Sequence, residues 1–401
     1  MVCVVVASTT IVGQAAAEGD VKGAVLRGKG RGDVIPGRYI VVLKPWANIQ
    51  GVAGRHGLAP DVSYDAALRG FAGTFASQRV LNLLKDPDVD WVEQDQVVTI
   101  GAQTLPEGVN RVDAEQNVTA IASGSAGVNV DIAIIDTGVD AKHSDLNVYR
   151  GVSYINGVKG GIDDNGHGTH CAGIAAARNN GLGVVGVAPG ARLWSVKVLD
   201  RNGSGSMSNV IKGVDYVASN ARSIEVANLS LGGGHSDALN AAIANAVARG
   251  VVVVVAAGNS GVDAAASSPA NSPDVLCVSA VVDTDGKPGG LGGASGYGPD
   301  DTLATFSNVG AVVDLGAPGV SVYSTYRGNT YASMSGTSMA SPHVAGAVGL
   351  YLATRVKPIS AAGVAAVRSA ILAASQPQGS AAGFTGDRDS FAEPMLDARN
   401  L

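Results

Sequence analysis

The sequence has few cysteines, few charged residues and no long apolar run beyond its first residues, and each shortage excludes a class of protein. Only three cysteines occur among 401 residues, which excludes a scaffold held by several disulfides. Charged residues make up 15 % of the chain against 46 % for apolar residues, which argues against disorder and against a coiled coil. No later segment approaches the ~20 apolar residues of a membrane-spanning helix. We therefore expect a globular protein that is soluble when mature.

The net charge and the cysteine positions narrow the possibilities further. A formal charge of −6 argues against a nucleic-acid-binding protein, which would normally carry a basic face. Cys3 lies in a segment that we expect to be removed, so a bridge between Cys171 and Cys277 is the one remaining possibility. Two free thiols are the favoured alternative, because Cys is among the most buried residue types. Glycine is abundant, with 55 residues, and its turns suit a site built on loops.

The start of the chain differs from the rest. Residues 2–12 are apolar and are followed by three alanines at 15–17, a pattern typical of a signal peptide over residues 1–17. No Lys or Arg precedes the apolar run, so a disordered apolar terminus is the alternative. Residues 18–34 are rich in Gly, Lys, Arg and Asp without periodicity, which predicts a flexible lead-in.

Residues 35–101 show the pattern of a small α+β domain. Segment 38–44 (RYIVVLK) is a β-branched strand pattern, and segment 89–93 (VDWVE) alternates as a second strand. Segment 78–84 between them is helix-like. The two types of element together predict a module that is separate from the rest of the chain.

Residues 102–401 show a different pattern, in which strands alternate with helices. Short apolar strands at 130–135 and 251–257 continue into glycine-bearing loops, and helical stretches lie between them at 208–220 and 238–249. This alternation predicts an α/β fold with an open, mostly parallel central sheet flanked by helices. Ligands of such sheets bind beyond the carboxyl ends of the strands. We therefore expect the functional residues to follow the strands.

Two polar residues stand at such positions in the first half of this region. Asp136 ends the apolar strand 130–135, where a buried acid needs a partner to offset its desolvation. His167 lies in DDNGHGTHCAG, ahead of a helical stretch at 169–177, and would face the strand ends. An acid next to a histidine is the arrangement that fixes the tautomer of a general base.

A serine and an asparagine complete the set. Ser338 begins the apolar helical stretch 338–352, where the helix dipole stabilises negative charge on its oxygen, and Pro342 is tolerated if it lies in the first turn. Asn259 follows the strand run VVVVVAA and could donate to an oxyanion together with the backbone N–H of Ser338. Any one of these residues alone is more often a cap or a turn residue. Their conjunction predicts a catalytic site.

Four segments of the sequence resemble the signature motifs of the subtilisin-like serine proteases. In chain order they are DTGVD, NGHGTHCAG, AAGN and GTSMASPHVAG, and the resemblance extends over residues 102–401. The segments PGRYIVVLK and DVDWVEQD resemble the inhibitory propeptide of that family. The resemblance therefore implies a subtilisin-like catalytic domain over residues 102–401, preceded by a ferredoxin-like propeptide over residues 35–101.

The same resemblance implies a function. The chain would be a secreted, extracellular serine endopeptidase that hydrolyses peptide bonds through an acyl-enzyme, with Asp136, His167 and Ser338 as its triad. It would be made as a precursor and would cleave itself near residues 100–103. Its partners would be polypeptide substrates and its own propeptide, which acts as an intramolecular inhibitor and folding aid. It would be a monomer without nucleic-acid or membrane partners.

Matching the family motifs residue by residue also implies the substrate-binding positions. The two backbone edges that pair with an extended substrate are Gly203, Ser204 and Gly205 on one side and Ser230, Leu231 and Gly232 on the other. The pocket for the residue before the scissile bond is formed by Ala257, Gly258 and Ser267. No charged residue occurs in these pocket segments, which favours apolar or neutral side chains with limited discrimination.

Calcium is the cofactor that the resemblance implies. The family's strong site matches side chains or carbonyls of Gln103, Asp145, Arg178, Asn180, Leu182 and Val184. An all-oxygen ligand set suits Ca²⁺, and an ordinary turn at 179–183 is the alternative. Around the glycine-rich loop 286–302, a second calcium site is a further hypothesis, with solvated loop acids as the alternative. Its acids are Asp283, Asp285, Asp300 and Asp301.

Cys171 and Cys277 each match a cysteine that occurs in one branch of the family. Cys277 matches a disulfide-bonded cysteine of the proteinase K branch, yet no partner occurs downstream, which predicts a free thiol. Cys171, four residues after His167, matches the free cysteine of the thiol-dependent branch. A small buried apolar side chain is the favoured role for it.

Two functions of other classes compete with a protease. An esterase would use a GxSxG nucleophile elbow, but Ser338 lies in GTSMA, whose last position is alanine. A catalytically inactive binding protein would have lost a member of the triad, and none is lost. Both alternatives are therefore disfavoured.

Overall fold

The computed structural model describes residues 25–27, 34–96 and 103–401. The chain divides into two compact units, one ending at Ile100 and the other beginning at Gly101. The predicted signal peptide and the predicted cleavage region up to residue 102 lie outside the described residues. Every helix within the described ranges is too short or too polar to span a bilayer.

The smaller unit is a five-stranded sheet with two helices. Its elements are β1 (Val25–Arg27), β2 (Val34–Leu43), α1 (Ile49–Arg55), β3 (Val62–Tyr64), β4 (Gly70–Thr74), α2 (Ser77–Leu83) and β5 (Val89–Gln96). The strand order is β1-β5-β2-β4-β3, and all pairs are antiparallel except β1 with β5. From β2 to β5 the βαββαβ order is that of a ferredoxin-like domain, so the predicted small α+β fold is confirmed.

The predicted flexible lead-in over residues 18–34 contains a strand. β1 lies inside it and pairs in parallel with β5 over three residues. Without β1, β5 would be an edge strand, and the unpaired backbone groups of an edge readily accept a further strand. The prediction of flexibility is therefore wrong for residues 25–27, because a polar composition does not prevent pairing through the backbone.

The core of the smaller unit lies between one face of the sheet and its two helices. Phe71, Leu83 and Val92 are fully buried there, and Phe71 meets Phe75 edge-on. The side chain of Asn48 caps α1 by accepting a hydrogen bond from the Gly51 N–H at 2.8 Å. This core is apolar throughout.

The larger unit is built on an eight-stranded sheet with two short two-stranded sheets beside it. Its strands are β6 (Asp131–Asp136), β7 (Val148–Ser153), β8 (Arg192–Lys197), β9 (Val226–Leu229), β10 (Gly233–Gly234), β11 (Val252–Ala256), β12 (Ser267–Ser268), β13 (Leu276–Val282), β14 (Thr302–Leu303), β15 (Leu315–Pro318), β16 (Val322–Tyr326) and β17 (Thr330–Met334). The main sheet has the order β14-β13-β11-β9-β6-β8-β7, with β15 also paired to β13, and only β14 runs antiparallel to its neighbour. The predicted mostly parallel α/β sheet is thus confirmed.

Seven helices accompany this sheet in the described part of the unit. They are α3 (Glu107–Arg111), α4 (Val118–Ser123), α5 (His167–Ala176), α6 (Met207–Ser219), α7 (Asp237–Ala248), α8 (Thr337–Ala353) and α9 (Ala361–Ala374). The predicted helices at 208–220 and 238–249 agree with α6 and α7 to within one residue. The chain passes from β6 to β7 and β8 on one side and then to β9 on the other, so the order reverses beside β6. Such a switch point opens a crevice at the carboxyl ends of the strands.

Helix α8 lies in the interior of the larger unit. It is buried on nearly all sides and packs against α5 and against strands β9, β11 and β13. A helix that is apolar all round is expected in such a position. Its N-terminus lies at the crevice, because the cavity described below is lined by its first two residues.

Candidate active site

The crevice beside β6 holds a buried acid in contact with a histidine. Asp136 is the last residue of β6 and is fully buried, and its Oδ1 and Oδ2 lie 2.8 Å and 2.9 Å from Nδ1 of His167. The Thr137 N–H also donates to Oδ1 at 2.6 Å. The carboxylate is therefore well supplied with hydrogen-bond donors despite its burial. The predicted acid and base are brought together.

His167 is the first residue of α5, and a second carboxylate fixes that end of the helix. Oδ1 of Asp163 accepts from Thr137 Oγ1 at 2.9 Å and from the Gly166 N–H at 2.8 Å, and its Oδ2 accepts from the Thr169 N–H at 3.0 Å. Asp163 thus ties the start of α5 to the end of β6. We did not single it out in the sequence. An acid four residues before the histidine, at a helix N-terminus, was the available signal.

The contact between α5 and β6 also requires a glycine. A Cβ atom at Gly168 would lie 2.1 Å from the Gly138 carbonyl oxygen and 3.1 Å from Cβ of Asp136. Only a residue without a side chain allows the helix to approach the strand end this closely. Gly168 therefore sets the distance between the His167 imidazole and the Asp136 carboxylate.

Two opposing effects set the protonation of His167. Burial is the larger single effect and disfavours the charged ring, but the Asp136 carboxylate and the neighbouring Cys171 sulfur together raise the pKa of His167 well above its ordinary value of 6.5. Burial also raises the pKa of Cys171, so this thiol stays protonated and Asp136 is the charge that matters. The His167 ring therefore binds a proton more readily than an ordinary histidine does.

Ser338 is the second residue of α8 and contacts the same cysteine as His167. The Cys171 thiol is 4.0 Å from Nδ1 of His167 and donates to the Ser338 carbonyl oxygen at 3.3 Å, so one side chain contacts both residues. The Ser338 hydroxyl donates to the Ser230 carbonyl at 3.2 Å. Among the described residues no hydrogen bond joins it to His167. Catalytic hydrogen bonds are often formed only when substrate is bound.

A proline in α8 frees the backbone carbonyl that anchors Ser338. Pro342 lies in the second turn of the helix, not in the first turn as expected, because α8 begins at Thr337. It has no N–H to donate to the carbonyl four residues earlier, which is that of Ser338. The Ser230 hydroxyl donates to this oxygen instead, at 2.8 Å, and itself accepts from Asn228 Nδ2 at 2.9 Å. No local sequence pattern predicts this anchoring role.

Asn259 is held so that its amide nitrogen is available. Its Oδ1 accepts from the Thr337 N–H at 2.8 Å and from the Thr337 hydroxyl at 2.9 Å, which directs Nδ2 away from them. A Cβ placed on Gly336 would lie 3.4 Å from Nδ2 of Asn259 and 3.7 Å from the Ser338 nitrogen. The first N–H groups of a helix have no partner within the helix. Both nitrogens therefore lie within 4 Å of one point beside Gly336.

Two adjoining cavities extend from these residues. The larger one has a volume of 510 Å³ and is lined by His167 together with both predicted substrate edges, namely Gly203, Ser204, Gly205, Ser230, Leu231 and Gly232. The second has a volume of 380 Å³ and is lined by Asn259 and Ser338 together with Ala257, Gly258 and Ser267. No charged side chain lines the second cavity. The structure thus brings the predicted substrate positions to the predicted catalytic residues.

The residues expected to bind calcium form a separate cluster. Gln103 Nε2 donates to the carbonyls of Arg178 and Val184 at 2.5 Å and 2.9 Å, and Asn180 Nδ2 donates to Asp145 Oδ1 at 3.0 Å. Burial raises the pKa of Asp145, and no Lys or Arg pairs with it. Asn180 Oδ1 accepts from the Leu182 N–H at 2.9 Å, so Leu182, the last of the six predicted ligands, belongs to the same turn as Asn180.

This cluster fits a hard cation. Two carbonyl oxygens already converge on one amide group, and a half-turn of the Gln103 amide would put its oxygen where its nitrogen now lies. The Asn180 amide, whose Nδ2 now donates to Asp145, would have to turn as well for every group offered to be an oxygen, as Ca²⁺ requires. The carboxylate of Asp145, which is almost completely buried, would provide the negative charge.

The two cysteines of the larger unit are both free and buried. Cys171 contacts the catalytic residues as described above, and Cys277 lies in β13 with no exposed surface. The alternative of a bridge between them is therefore excluded by the structure. Two free thiols are confirmed.

Comparisons with known proteins agree with this arrangement. The sequence model of the subtilase family matches residues 127–390, and that of the peptidase inhibitor I9 family matches residues 38–101. The chain is 45 % identical over 266 residues to an alkaline protease of Alkalihalobacillus alcalophilus, covering 66 % of this chain and 64 % of that protein. It thus spans a little under two thirds of that relative's length.

Further relatives extend the match. Identity with subtilisin E of Bacillus subtilis (strain 168) is 41 % over 286 residues, which is 70 % of each chain. The crystal structure of a cold adapted subtilisin-like serine proteinase superimposes with a TM-score of 0.59 at 32 % identity, covering 73 % of this chain and 97 % of that one. With two thirds of its length matched by the family model and with this crevice at the ends of its strands, the chain belongs to the subtilase family.

Proposed function

We propose that this chain is a serine endopeptidase that hydrolyses peptide bonds through an acyl-enzyme. The observation that carries the proposal is the hydrogen-bonded pair of Asp136 and His167 beside Ser338, at the N-terminus of a buried helix. A serine, a base and an acid in this relation activate a hydroxyl for attack on a carbonyl carbon.

The proposed reaction uses each group at a stated atom. As Oγ of Ser338 attacks the scissile carbonyl, its proton passes to Nε2 of His167, while Asp136 holds the ring through Nδ1. The oxyanion accepts hydrogen bonds from Nδ2 of Asn259 and from the Ser338 N–H. His167 then gives the proton to the leaving amine, and a water molecule releases the acyl group by the same steps in reverse.

The protonation of His167 sets the expected pH dependence. The ring acts as a base only when it is neutral, and the Asp136 carboxylate raises its pKa above 6.5. Activity should therefore fall as the pH drops through a value higher than that of an unperturbed histidine. An enzyme with this property works best in alkaline solution.

Extended polypeptides are the proposed substrates. The backbone edges at 203–205 and 230–232 lie on the same cavity, and a peptide would add there as a strand through main-chain hydrogen bonds. The cavity beside Ser338 is lined by Ala257, Gly258 and Ser267 and has no charge, which favours an apolar or neutral residue before the scissile bond. Such a pocket discriminates weakly, so specificity should be broad.

A secreted precursor is the proposed form in which the protein is made. The match of residues 38–101 to the I9 inhibitors supports an intramolecular inhibitor and folding aid, and the apolar start of the chain supports a signal peptide over residues 1–17. We assign residues 35–101 to the propeptide, residues 102–401 to the catalytic domain, and self-cleavage to residues 100–103. The mature enzyme would act as a monomer outside the cell.

Calcium is the proposed structural cofactor of the catalytic domain. Gln103, Asp145 and Asn180 would hold it with side-chain oxygens, and Arg178, Leu182 and Val184 with carbonyls. A bound ion would neutralise the buried Asp145 carboxylate and tie the start of the domain to the turn after α5. It takes no part in the chemical step.

Replacement of Ser338 by Ala tests the proposed function. Turnover of casein should fall by roughly 10⁶-fold, a loss of the size measured for this replacement in a subtilisin, and the precursor should keep its full mass. Ser223→Ala, at an exposed serine that precedes β9 and so lies at the end of that strand away from the crevice, is the matched control and should retain full activity. Hydrolysis of casein and release of the propeptide by the Ser338→Ala variant would refute the proposal.

A further inference from the structure

A second cluster of acids lies in the long loop between β13 and β14. Carboxylate oxygens of Asp283, Asp285 and Asp300 all lie within 4.8 Å of one another. Ca²⁺ binds oxygens at 2.3–2.6 Å, so two ligands on opposite sides of one ion are about 5 Å apart. The three carboxylates are therefore close enough to share a single ion.

One oxygen in this cluster is buried and has no partner. Asp283 is only 3 % exposed, and its Oδ1 accepts from the Gly286 N–H at 2.9 Å, but its Oδ2 is buried without any hydrogen bond. A buried charge without a partner costs several kcal/mol, so native proteins seldom retain one without a ligand or a proton. This orphaned oxygen is an observation independent of the number of acids nearby.

Within residues 103–401, no Lys, Arg or His side chain bonds to Asp283. The charge of Arg111 acts on Asp283 from a distance, but its guanidinium is bonded to Asp301 at 2.7 Å and to the Gly383 carbonyl at 2.8 Å. Asp301 also accepts from the Gly289 N–H at 2.6 Å, so that pair is complete in itself. Burial, reinforced by the charges of Asp300 and Asp301, outweighs the opposing effects of the Gly286 N–H and Arg111 and raises the pKa of Asp283 to about 7.

The other acids are already oriented towards the same place. Asp300 is held by the Thr284 N–H at 2.8 Å and the Gly292 N–H at 2.9 Å, so its carboxylate cannot turn freely. Glu107, at the start of α3, lines the same cavity as Asp283, and burial together with the charges of Asp285 and Asp300 raises its pKa. The carboxylates thus come from two separate parts of the larger unit.

An approach for an ion is also present. Asp283 and Glu107 line a cavity of 300 Å³, and no Lys, Arg or His lines it. Of the three clustered acids, Asp283 lines this cavity, so an ion could approach the cluster from that side.

We propose that Asp283, Asp285 and Asp300 bind a second Ca²⁺, with Glu107 as an outer negative charge. The ion fills the position in front of Asp283 Oδ2 and ties the long loop after β13 to helix α3. The site shares no residue with the one at Asp145 and does not depend on the catalytic activity of the chain.

Calcium titration of the full chain tests the inference. The chain carries Ser338→Ala to prevent self-cleavage, is stripped with a chelator and is titrated with CaCl₂ by calorimetry. Asp285→Asn should weaken one class of site by about 10-fold or more, since even outer-sphere changes cost that much. Asp283→Asn should abolish the same site. Because turnover is absent in every sample, failure of the proposed protease function does not affect the result.

Two further variants identify which site is lost. Asp145→Asn removes the other proposed site and should leave the one at Asp283 intact, whereas Asp215→Asn, at an exposed acid of α6, should bind like the parent. If Asp283→Asn does not fold, the calcium affinity of Asp285→Asn, at a half-buried position, still tests the proposed site. The inference is overturned if Asp285→Asn binds calcium like the parent, or if Asp145→Asn removes all binding. The first result would mean that a proton, not a metal ion, neutralises Asp283.

Discussion

The two units of the chain differ in how many polar groups they bury and in whether those groups have hydrogen-bond partners. In the described part of the smaller unit, residues 25–27 and 34–96, Asp86 is the one buried charged side chain, and it is paired with both Arg55 and His56. No buried side-chain atom described there lacks a hydrogen bond. The larger unit buries Asp136, Lys197 and many other polar groups.

The larger unit also leaves some of those groups unsatisfied. Buried atoms without partners include Nε2 of His343, Oδ2 of Asp283 and Oε1 of Glu393. Such groups cost stability, and folding alone gives no reason to keep them. The smaller unit can therefore be understood from its core and its surface pairs, whereas the larger one carries functional constraints at the ends of its strands. Four changes test this contrast.

The largest effect is expected in the core of the smaller unit. Phe71→Ala removes a fully buried ring that packs edge-on against Phe75. The free energy of unfolding of the smaller unit should fall by about 3–5 kcal/mol, because the burial of the ring is lost and an empty cavity is left behind. Hydrogen exchange measured by mass spectrometry should show lost protection in residues 34–96. Unchanged protection there would show that this core does not stabilise the unit.

The second-largest effect is expected on the rate of catalysis, with little effect on the stability of the fold. Asn259→Asp keeps the oxygen that accepts from Thr337 but removes the amide donor. The value of kcat should fall by about 10²- to 10³-fold with little change in KM, a magnitude measured for such a donor in a subtilisin. The melting temperature should stay close to that of the parent. Retention of more than about half of kcat would show that Asn259 does not contact the oxyanion.

The third effect depends on pH. Burial raises the pKa of Glu393 to about 8, so the folded chain keeps a proton that the unfolded chain releases near its ordinary value of 4.5. Stability from this group is present below 4.5 and is lost as the pH rises through about 8. Glu393→Gln should flatten this dependence by about 1 kcal/mol per pH unit. Parallel unfolding curves for both proteins across this range would contradict the assignment.

The smallest effect is expected at the surface of the smaller unit. Arg38 pairs with Asp61 at 2.5 Å and with Asp95 at 2.8 Å, but the Asp61 side chain is 55 % exposed. Exposed pairs contribute little because water and salt screen them. Arg38→Gln should leave hydrogen exchange in residues 34–96 unchanged. A loss of protection as large as that of Phe71→Ala would place this pair among the main stabilising contacts.

Residues with local signals were predictable from the sequence. Asp136, His167 and Ser338 stand at strand ends or helix starts, and apolar periodicity locates such places. The predicted helix at 78–84 and the strand at 89–93 likewise follow from side-chain pattern alone.

Residues that act through distant backbone groups were not predictable. Asp163 acts by accepting from the ends of two elements, and Pro342 acts by leaving a carbonyl free for Ser230. Strand β1 exists because β5 offers an open edge, which no local pattern reveals. These contacts depend on the tertiary fold.

The most direct test of the account is to find where a fluorophosphonate reacts. Peptide mapping of the labelled chain should place the modification on Ser338, and the labelling rate should rise with pH through the raised pKa of His167, above 6.5. His167→Ala should remove nearly all labelling. A label on another residue, or an unchanged rate in His167→Ala, would contradict the claim that His167 and Asp136 activate Ser338.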